Sequence, residues 1–403
     1  MAEINPQTRW LNRLRRWGGL YLLLRAVRRI LSTVWVESFR RFGCGPCWGA
    51  ARGFYSGLAD IREGRTEGGV LLEGQSLPVL PAVSLIERAR MDQNGRQPWP
   101  VFWSRLPSAR LVGPSLAVMG PDKKLMIESV YGEEFCRRDP SYLYSRLGKP
   151  VRLPGRWTSV IHSWSEGYYH WITDALPRLA PLEEWPSDVG ILMRGPLRSY
   201  QKESLEMLGL LERVRETVED HLLVEEYFFS SPVGMTGCTN PYAVGWLRRR
   251  FLPFAAPGES PPFFCIRRRG KTRGIRNQES LWTALAAQGW GVVDMETLSF
   301  AEQMGWFARA RAVVGEHGAA FTNLVWTGPG CAVLELCAEG FLNGCYEGIM
   351  RCVGGRHDFH IHPSRPDCSF EVPSGSLQAW VESVSPVEKG VAHLGMANRS
   401  VGN

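Results

Sequence analysis

The stretch AVVGEHGAAFTNLVWTGPGCAVLEL, residues 312–336, decides the fold of this 403-residue chain. It begins with an apolar strand pattern, Ala312–Gly315, and passes through a glycine-rich turn into a short helix that starts at Ala319. A second apolar strand pattern, Ala332–Leu336, ends it. Strand, turn, helix and strand in this order predict one unit of a parallel sheet.

The sequence before this stretch continues the alternation. Two strands and two helices are predicted there: Phe263–Ile266, Gln278–Gln288, Trp290–Asp294 and Phe300–Arg309. Ser299 and Glu302 form a capping box for the second helix. A proline-rich stretch at 255–262 reads as a linker. We therefore predict an α/β fold with a doubly wound parallel sheet after this linker.

The formal charge of +7 lies in one part of the chain. Residues 1–52 contain ten Arg and two acidic residues, whereas the remaining residues contain 37 basic and 38 acidic ones. The body of the protein is therefore close to neutral, which disfavours a nucleic-acid-binding surface. We expect the basic arm, residues 1–52, to contact an anionic membrane surface.

The basic arm predicts an amphipathic helix. Arginines interrupt its apolar runs, so no piece reaches the roughly 20 residues of a spanning helix, and no cleavage site of a secretory signal follows. One helical stripe carries apolar and aromatic residues: Trp10, Leu14, Trp17, Tyr21 and Leu24. Such a helix either lies at a membrane surface or packs on its own protein, and both interpretations stay open.

The cysteines allow two further interpretations. Cys44 and Cys47 have the spacing of a thioredoxin dithiol, but the flanking sequence lacks the strand and helix that this chemistry needs. The later cysteines lack the paired spacing of structural zinc sites, so we predict that Cys331 and Cys337 belong to the core. No metal site is predicted.

The N-terminal half reads as short strands and then as alternating elements. The predicted strands and the predicted helix are Val70–Leu72, Leu77–Leu80, Leu125–Ile127, Val189–Met193 and Ser199–Leu211. Within this half, His170 and Asp174 are four residues apart and share one face of a helix. Such a pair acts either as a base with its orienting carboxylate or as a plain structural hydrogen bond.

Two polar segments follow predicted strands of the parallel sheet. Arg267–Arg276 carries six cations in ten residues, and arginine forks bind phosphate oxygens two at a time. The turn Gly315–Ala320 offers close backbone approach and a helix N-terminus for a diphosphate, although Glu316 is expected to face elsewhere. Glu335 ends a strand, where its carboxylate needs a partner, either a ribose diol or a nearby arginine.

These segments together resemble glycosyltransferase family 61, which includes bacterial polysaccharide enzymes and eukaryotic protein O-glycosylation and xylan enzymes. YYHWITDALPRL at 168–179 carries the first block of the resemblance. The second runs from Phe263 to Leu336 and contains IRRRGKTRGIRN, SFAEQMGWFARA, VVGEHGAAFTNLVW and PGCAVLEL. The chain departs from the family's usual residues at Gly167, Gln278, Glu316 and Ala320.

The resemblance implies a GT-B-like architecture with two facing α/β domains and inverting sugar transfer. It implies a donor site formed by Arg267, Arg273, Asn277, His317, Gly318, Ala319, Asn323 and Glu335. It implies an acceptor side with Tyr168, Tyr169, Trp171 and Arg178, where Asp174 is the first candidate for the catalytic base and His170 the second. The expected domains are the arm 1–52, an acceptor domain 53–255, a Rossmann-like donor domain 256–345 and an extension 346–403 that partly returns to the acceptor domain.

The expected function is transfer of a sugar from a nucleoside-diphosphate sugar, best matched by a UDP-sugar, to a hydroxyl of a glycan or glycolipid. Fixed cations replace a metal, so no cofactor is required. We expect a cytoplasmic enzyme at the inner membrane face that contributes to capsule, exopolysaccharide or lipopolysaccharide. The alternative is a non-catalytic nucleotide-sugar-binding scaffold. A dinucleotide-dependent oxidoreductase is disfavoured, because the first strand lacks the Gly-x-Gly-x-x-Gly turn.

Overall fold

The computed structural model describes the chain in several segments: 53–72, 100–131, 147–234, 236–237, 239–269, 273–373 and 375–384, with five residues between 26 and 34. The apolar stripe of the basic arm, the Cys44–Cys47 pair and the predicted strand Leu77–Leu80 lie outside the described residues. Among the residues that are described, none belongs to a helix long and apolar enough to cross a membrane.

The N-terminal half contains a mixed sheet. Its strands are β1 Gly53–Tyr55, β2 Glu67–Leu72, β3 Val101–Val112, β4 Ala117–Met119, β5 Lys124–Met126, β6 Val151–Ser159, β7 Gly190–Met193, β8 Val214–Glu216 and β9 His221–Ser230. Their order is β1-β5-β4-β3-β9-β6-β7-β8, and β2 pairs with β3. The long antiparallel pair β3–β9 forms its centre, and β6, β7 and β8 continue from β9 in parallel. The predicted strands at 70–72, 125–127 and 189–193 are confirmed within one to three residues.

Four helices accompany this sheet: α1 Gly57–Arg62, α2 Tyr168–His170, α3 Ser199–Met207 and α4 Pro241–Phe251. Helix α2 continues without a break as a π-helical turn, Trp171–Ala175, and then as a 3-10 helix, Leu176–Glu183. Helix α4 begins where the Asn240 side chain accepts from the Tyr242 amide at 2.8 Å and Pro241 occupies the first turn. The helical block 168–183 thus lies between β6 and β7, and its π turn carries Asp174.

The C-terminal half is a parallel sheet in the order β11-β10-β12-β13-β14. Its strands are β10 Phe263–Ile266, β11 Gly291–Val293, β12 Ala312–Glu316, β13 Ala332–Ala338 and β14 Arg356–His362, and its helices are α5 Gln278–Ala286, α6 Phe300–Ala308, α7 Cys345–Val353 and α8 Gln378–Val384. The predicted capping box is confirmed, because the Ser299 side chain accepts from the Glu302 amide and the Glu302 carboxylate accepts from the Ser299 amide. A 3-10 helix, Ala319–Trp326, starts at the predicted position.

The strand order places a topological switch point between β10 and β12. The chain moves from β10 outward to β11 and returns to add β12 on the other side of β10. In doubly wound sheets, ligands bind at the carboxyl ends of the two strands that flank this point. Strand β14 belongs to the same sheet, so the sheet extends beyond residue 345, where the sequence placed the end of the donor domain.

One apolar core joins the two halves. Trp171, Leu176 and Phe228 of the N-terminal half pack in the same cluster as Phe264 and Trp326 of the C-terminal half. The Tyr168 hydroxyl adds a hydrogen bond of 2.6 Å to Asn323 Oδ1 across this contact. The helical block 168–183 is therefore fixed relative to the parallel sheet, and its polar side chains have a defined position beside the switch point.

Candidate active site

The loop after β10 and the turn after β12 meet at the switch point, where Arg268 and the buried carboxylate of Glu316 connect them. The Gln278 amide pairs with both backbone groups of Arg268, accepting from its N–H at 2.9 Å and donating to its carbonyl at 3.1 Å. Arg268 Nη1 donates to the carbonyl of His317 at 3.1 Å, which ties the end of β10 to the turn after β12. Gln278, a departure from the family pattern, thus fixes the shape of the arginine loop.

The Glu316 carboxylate is buried against the arginine loop, Arg267–Arg276. Its Oε2 accepts from the Ile275 amide at 2.6 Å, and its Oε1 lies 3.4 Å from Arg268 Nε. Burial raises the pKa of Glu316 above its ordinary value, although the Ile275 amide and Arg268 act against that rise. The Glu316 carboxylate therefore holds the arginine loop in place through the Ile275 amide and Arg268.

The next turn places His317 over the end of β13. His317 Nδ1 contacts Glu335 Oε1, and His357 Nε2 of β14 lies 2.9 Å from Glu335 Oε2. Glu335 is 1% exposed, so its partners are these imidazoles rather than the ribose diol or the arginine that the sequence suggested. His357 was not found by sequence reasoning, because no spacing rule links it to Glu335.

An aromatic wall surrounds His317. Its ring lies 5.4 Å from Phe341 and 5.0 Å from Tyr346, measured between centroids. Arg273 stacks its guanidinium 4.5 Å above the Phe341 ring, and its φ of +62° is left-handed. A guanidinium on an aromatic face is held in place while its edges stay available to phosphate oxygens. Arg273 and His317 therefore both pack against Phe341, and their contact with a donor stays a prediction.

Two predicted donor-site residues are placed elsewhere. The Asn277 side chain donates to the Val372 carbonyl at 2.7 Å and accepts from the Val372 amide at 3.1 Å, so it holds the segment that follows β14. Asn323 is 0% exposed and satisfies all its hydrogen-bonding groups within the protein. The side chains of both residues are thus bonded within the protein in this structure, and their contact with a donor stays a prediction.

The remaining predicted donor residues lie at the edge itself. Arg267 is half-exposed and pairs with Glu279 at 2.9 Å. Gly318 is in extended conformation, and a Cβ there would meet Arg268 Nη1 at 3.5 Å, so the turn passes close to the arginine loop. Ala319 begins the 3-10 helix and is exposed. The first amides of a helix have no partner within it and are available to an anion.

The N-terminal pair is assembled as the spacing predicts. His170 Nδ1 lies 2.8 Å from Asp174 Oδ2. Thr236 donates to the same oxygen at 2.6 Å, and its Oγ1 lies 2.9 Å from His170 Nδ1. The Thr173 hydroxyl lies 2.8 Å from Asp174 Oδ1 and 2.8 Å from the Tyr169 carbonyl, and these two acceptors share its single proton. Because the Thr236 proton goes to the carboxylate, His170 Nδ1 is the donor in both of its contacts.

Exposure differs within this pair. The Asp174 side chain is 8% exposed and surrounded by donors, whereas the His170 side chain is 29% exposed. Trp164 lies nearly parallel to the His170 ring, with centroids 5.7 Å apart, and His162 lies 6.1 Å away edge-on. Burial lowers the pKa of His162 to about 3, so that ring is neutral. The open face of the pair therefore belongs to His170.

The predicted acceptor-side residues divide into two groups. Trp171 is 0% exposed and donates from Nε1 to the Ser204 hydroxyl at 2.9 Å, and Arg178 is 4% exposed and donates to the Ser230 carbonyl at 2.7 Å. Both are structural, so the prediction that they contact an acceptor is wrong. Tyr168 connects the two halves through its hydrogen bond to Asn323, and the Tyr169 ring packs against Tyr346 of the C-terminal half.

Two tyrosines connect the sites. The Tyr169 ring lies 5.2 Å from His170 on one side and 5.9 Å from Tyr346 on the other. Tyr346 in turn lies 5.0 Å from His317. A continuous chain of ring contacts through Tyr169 and Tyr346 thus links the His170–Asp174 pair to the His317–Glu335 pair across the contact between the two halves. Tyr346 was missed because its helix, α7, lies beyond the segments that sequence patterns marked.

The cysteines of the described segments are free. Cys331 and Cys337 are buried, as predicted, and burial raises the pKa of Cys331 to about 12. Over those same segments, no group of three or more His, Cys, Asp or Glu is arranged to hold a metal ion.

The N-terminal half thus presents an acid–base pair, His170 and Asp174, and the parallel sheet presents cationic groups suited to an anion. An enzyme that transfers a group from a phosphorylated donor needs both kinds of group. Comparison with known families makes this class specific. Residues 168–334 match the model of the family Glycosyltransferase 61, and this match supports assignment of the chain to that family and its activity as a glycosyltransferase. The match covers the first sequence block and the second block as far as Leu334, one residue before Glu335. No curated protein matches the chain.

Proposed function

We propose that this glycosyltransferase moves a sugar from a nucleoside-diphosphate sugar to a hydroxyl group of a glycan, with inversion at the anomeric carbon. The donor lies at the carboxyl edge of β10, β12 and β13, and the acceptor enters beside the helical block 168–183. This assignment corresponds to a GT-B-like division of labour between the two halves. A UDP-sugar is the first donor to test.

The chain of ring contacts between the two pairs carries this proposal. Tyr169 packs against His170 and Tyr346, and Tyr346 packs against His317. A donor diphosphate at His317 directs its sugar toward that pair, and the acceptor hydroxyl then approaches from the N-terminal half. Attack from the side opposite the leaving diphosphate inverts the configuration.

Within the pair, the geometry favours His170 as the base and Asp174 as its orienting group. Asp174 is buried, and its Oδ2 faces His170 and Thr236 rather than solvent. His170 keeps Nδ1–H on the carboxylate, so its Nε2 carries the lone pair and its ring is partly exposed. This order reverses the ranking from sequence and keeps both residues in the catalytic unit.

The chemical step then balances as follows. The acceptor oxygen forms a bond to the anomeric carbon as the bond from that carbon to the diphosphate oxygen breaks. The acceptor proton moves to His170 Nε2, and the leaving diphosphate takes the bonding electron pair. Arg267, Arg273, His317 and the amide of Ala319 stabilise the developing negative charge.

The wider setting rests on the charge distribution. Ten arginines in the basic arm suit an anionic membrane surface, and a membrane-bound glycolipid or nascent polysaccharide is the acceptor that such a surface presents. We therefore place the enzyme at the inner membrane face, in the assembly of capsule, exopolysaccharide or lipopolysaccharide. Fixed cations at the donor site make the reaction independent of a divalent metal.

The test begins with nucleotide binding. Calorimetry of the purified protein with UDP, GDP, CMP and their sugars, with and without Mg²⁺, identifies the donor. Slow transfer of that donor to water then gives a rate without a known acceptor. His170→Gln and Asp174→Asn are expected to lower this rate by 10²–10⁴-fold while nucleotide affinity stays within about threefold.

Matched controls are His221→Gln and Asp188→Asn. His221 contacts the Gly148 carbonyl and Asp188 pairs with Arg156, so both variants change the same residue types away from the pair. If the wild type and the variants all bind nucleotide but turn over no donor, the protein is better described as a non-catalytic nucleotide-sugar-binding scaffold. Normal turnover in both His170→Gln and Asp174→Asn would remove the pair as the base.

A further inference from the structure

The Glu335 carboxylate lies between two imidazoles. Its Oε1 contacts His317 Nδ1, and its Oε2 lies 2.9 Å from His357 Nε2. The three side chains are 1%, 11% and 5% exposed, in the order Glu335, His317 and His357. His357 lies on β14, outside the segment that matches the family.

The protons on these hydrogen bonds follow from the state of the carboxylate. Burial alone would raise the pKa of Glu335, but the hydrogen bonds to His317 and His357 outweigh it and hold that pKa below its ordinary value. The carboxylate is therefore ionised at neutral pH and accepts from both sides. His317 carries its proton on Nδ1, and His357 carries one on Nε2.

The second nitrogens of the two rings differ. His357 Nδ1 is buried and has no hydrogen-bond partner within the described segments. A proton there would bury an N–H without an acceptor, which costs free energy. The His317 ring keeps part of its surface open between Phe341 and Tyr346. Protonated His317 presents an Nε2–H to a phosphate oxygen, whereas the neutral ring presents a repelling lone pair.

We propose that His317 is an imidazolium that binds the donor diphosphate through Nε2–H, and that His357 is a positioning residue that holds Glu335 against it. The inference deepens the proposed function and rests on it for the identity of the ligand. If His357 is neutral, the positive charge that neutralises the Glu335 carboxylate lies on His317. The site thus keeps a fixed cation at the switch point.

The charges around His317 agree with this assignment. The other titratable groups near the triad are Arg268, Arg273, Glu316, Tyr346, Cys337 and Cys345. Glu316 already pairs with Arg268. Burial raises the pKa of Tyr346 and of Cys337 well above neutrality, so both are uncharged. Glu335 is therefore the anion that His317 faces.

The first test reads the protonation state without any nucleotide. The full chain is labelled with ¹⁵N at histidine, and imidazole nitrogen shifts are recorded between pH 6 and 8. The His317 signals are assigned by their loss in His317→Asn, and those of His357 by their loss in His357→Gln. We expect the imidazolium pattern for His317 and the neutral Nε2–H pattern for His357. A neutral His317 at pH 7 overturns the proposal.

The second test links that charge to binding. UDP binding at pH 7.5 is measured by calorimetry in two buffers of different ionisation enthalpy, and the next-best nucleotide replaces UDP if UDP does not bind. On binding UDP, the wild-type protein is expected to take up almost no proton. Glu335→Gln removes the counter-ion of His317, so this variant takes up close to one proton on binding and binds UDP about tenfold more weakly. Its affinity for UDP recovers toward pH 6. Equal proton uptake in both proteins contradicts the proposal.

His357 has its own pair of variants. His357→Gln keeps a donor to Glu335 and holds the affinity within about threefold, whereas His357→Leu loses that donor and weakens binding about three- to tenfold. Equal affinity in the two variants, with matching melting curves, removes the positioning role. If no nucleotide binds the folded wild type, the proposed donor site fails, whereas the imidazole shifts still decide the charge state of His317.

Discussion

Asn323→Ala tests whether this residue joins the two halves or binds the donor. Its Oδ1 accepts from the Tyr168 hydroxyl at 2.6 Å and from Trp326 Nε1 at 3.1 Å. Its Nδ2 donates to Gln303 Oε1 at 2.9 Å and to the Ala320 carbonyl at 3.1 Å. Burial raises the pKa of Tyr168 well above its ordinary value, so that hydroxyl keeps its proton and remains a donor.

The magnitude follows from the donors that lose their acceptor. Alanine leaves the Tyr168 hydroxyl and the Trp326 N–H unpaired in the core, at about 1–3 kcal/mol each. We expect Asn323→Ala to lower the free energy of unfolding by about 4 kcal/mol. Tyr168→Phe removes one donor and leaves Asn323 paired with Trp326, so it costs about 1 kcal/mol. In the double variant the unpaired hydroxyl is gone, and the loss is about 1–2 kcal/mol smaller than the sum of the two single losses.

Urea denaturation of the four proteins gives these values, and calorimetry with the identified nucleotide gives the affinities. We expect Tyr168→Phe to leave the affinity unchanged. The reasoning is refuted if Asn323→Ala costs less than about 1 kcal/mol while nucleotide affinity falls more than tenfold. That outcome would make Asn323 a donor ligand, as the family resemblance implied.

Three further outcomes are expected. Burial lowers the pKa of His162 to about 3 in the folded state, against 6.5 in the unfolded state. Protonation of the unfolded state therefore lowers the free energy of unfolding by about 1.4 kcal/mol for each pH unit below about 6.5. His162→Gln is expected to reduce this pH dependence, which urea denaturation at pH 5 and pH 7 measures. Gly305→Ala places a Cβ against the backbone carbonyl of Ala256 and costs about 1–3 kcal/mol, whereas Gly328→Ala, with no atom within 4 Å, is close to neutral in melting temperature. Asn277→Ala frees the segment after β14 and costs about 1–2 kcal/mol, with nucleotide affinity within about threefold; a tenfold loss of affinity would return it to the donor site.

The parallel sheet was predictable because its signals are local. Apolar runs ending in glycine or polar residues located β10, β12 and β13, and the Ser299–Glu302 box located the start of α6. These patterns depend on neighbours in the chain, which a sequence contains. The edge strand β14 carries alternating charge and histidine instead of an apolar run, so its place in the sheet did not follow from pattern.

The site was predicted in part, for a different reason. His170 and Asp174 were paired from their spacing, whereas the family resemblance assigned His317 and Glu335 to the donor side without pairing them. In the structure, each of these two pairs is in contact. Asn323 has an amide that suits a backbone group, a side chain or a ligand equally well, and only the packed structure shows which partner is present. His357 reaches Glu335 through the register of neighbouring strands, which sequence spacing does not encode.

The apolar core shared by the two halves limits how such enzymes can be recombined. Phe264, Val313 and Trp326 of one half pack against Trp171 and Leu176 of the other. A chain cut within 255–262 would expose these surfaces on both fragments, and each fragment would tend to aggregate. Exchanging one half between relatives therefore requires that both sides of this core be exchanged or redesigned together. Through this core the two halves are expected to change as one unit.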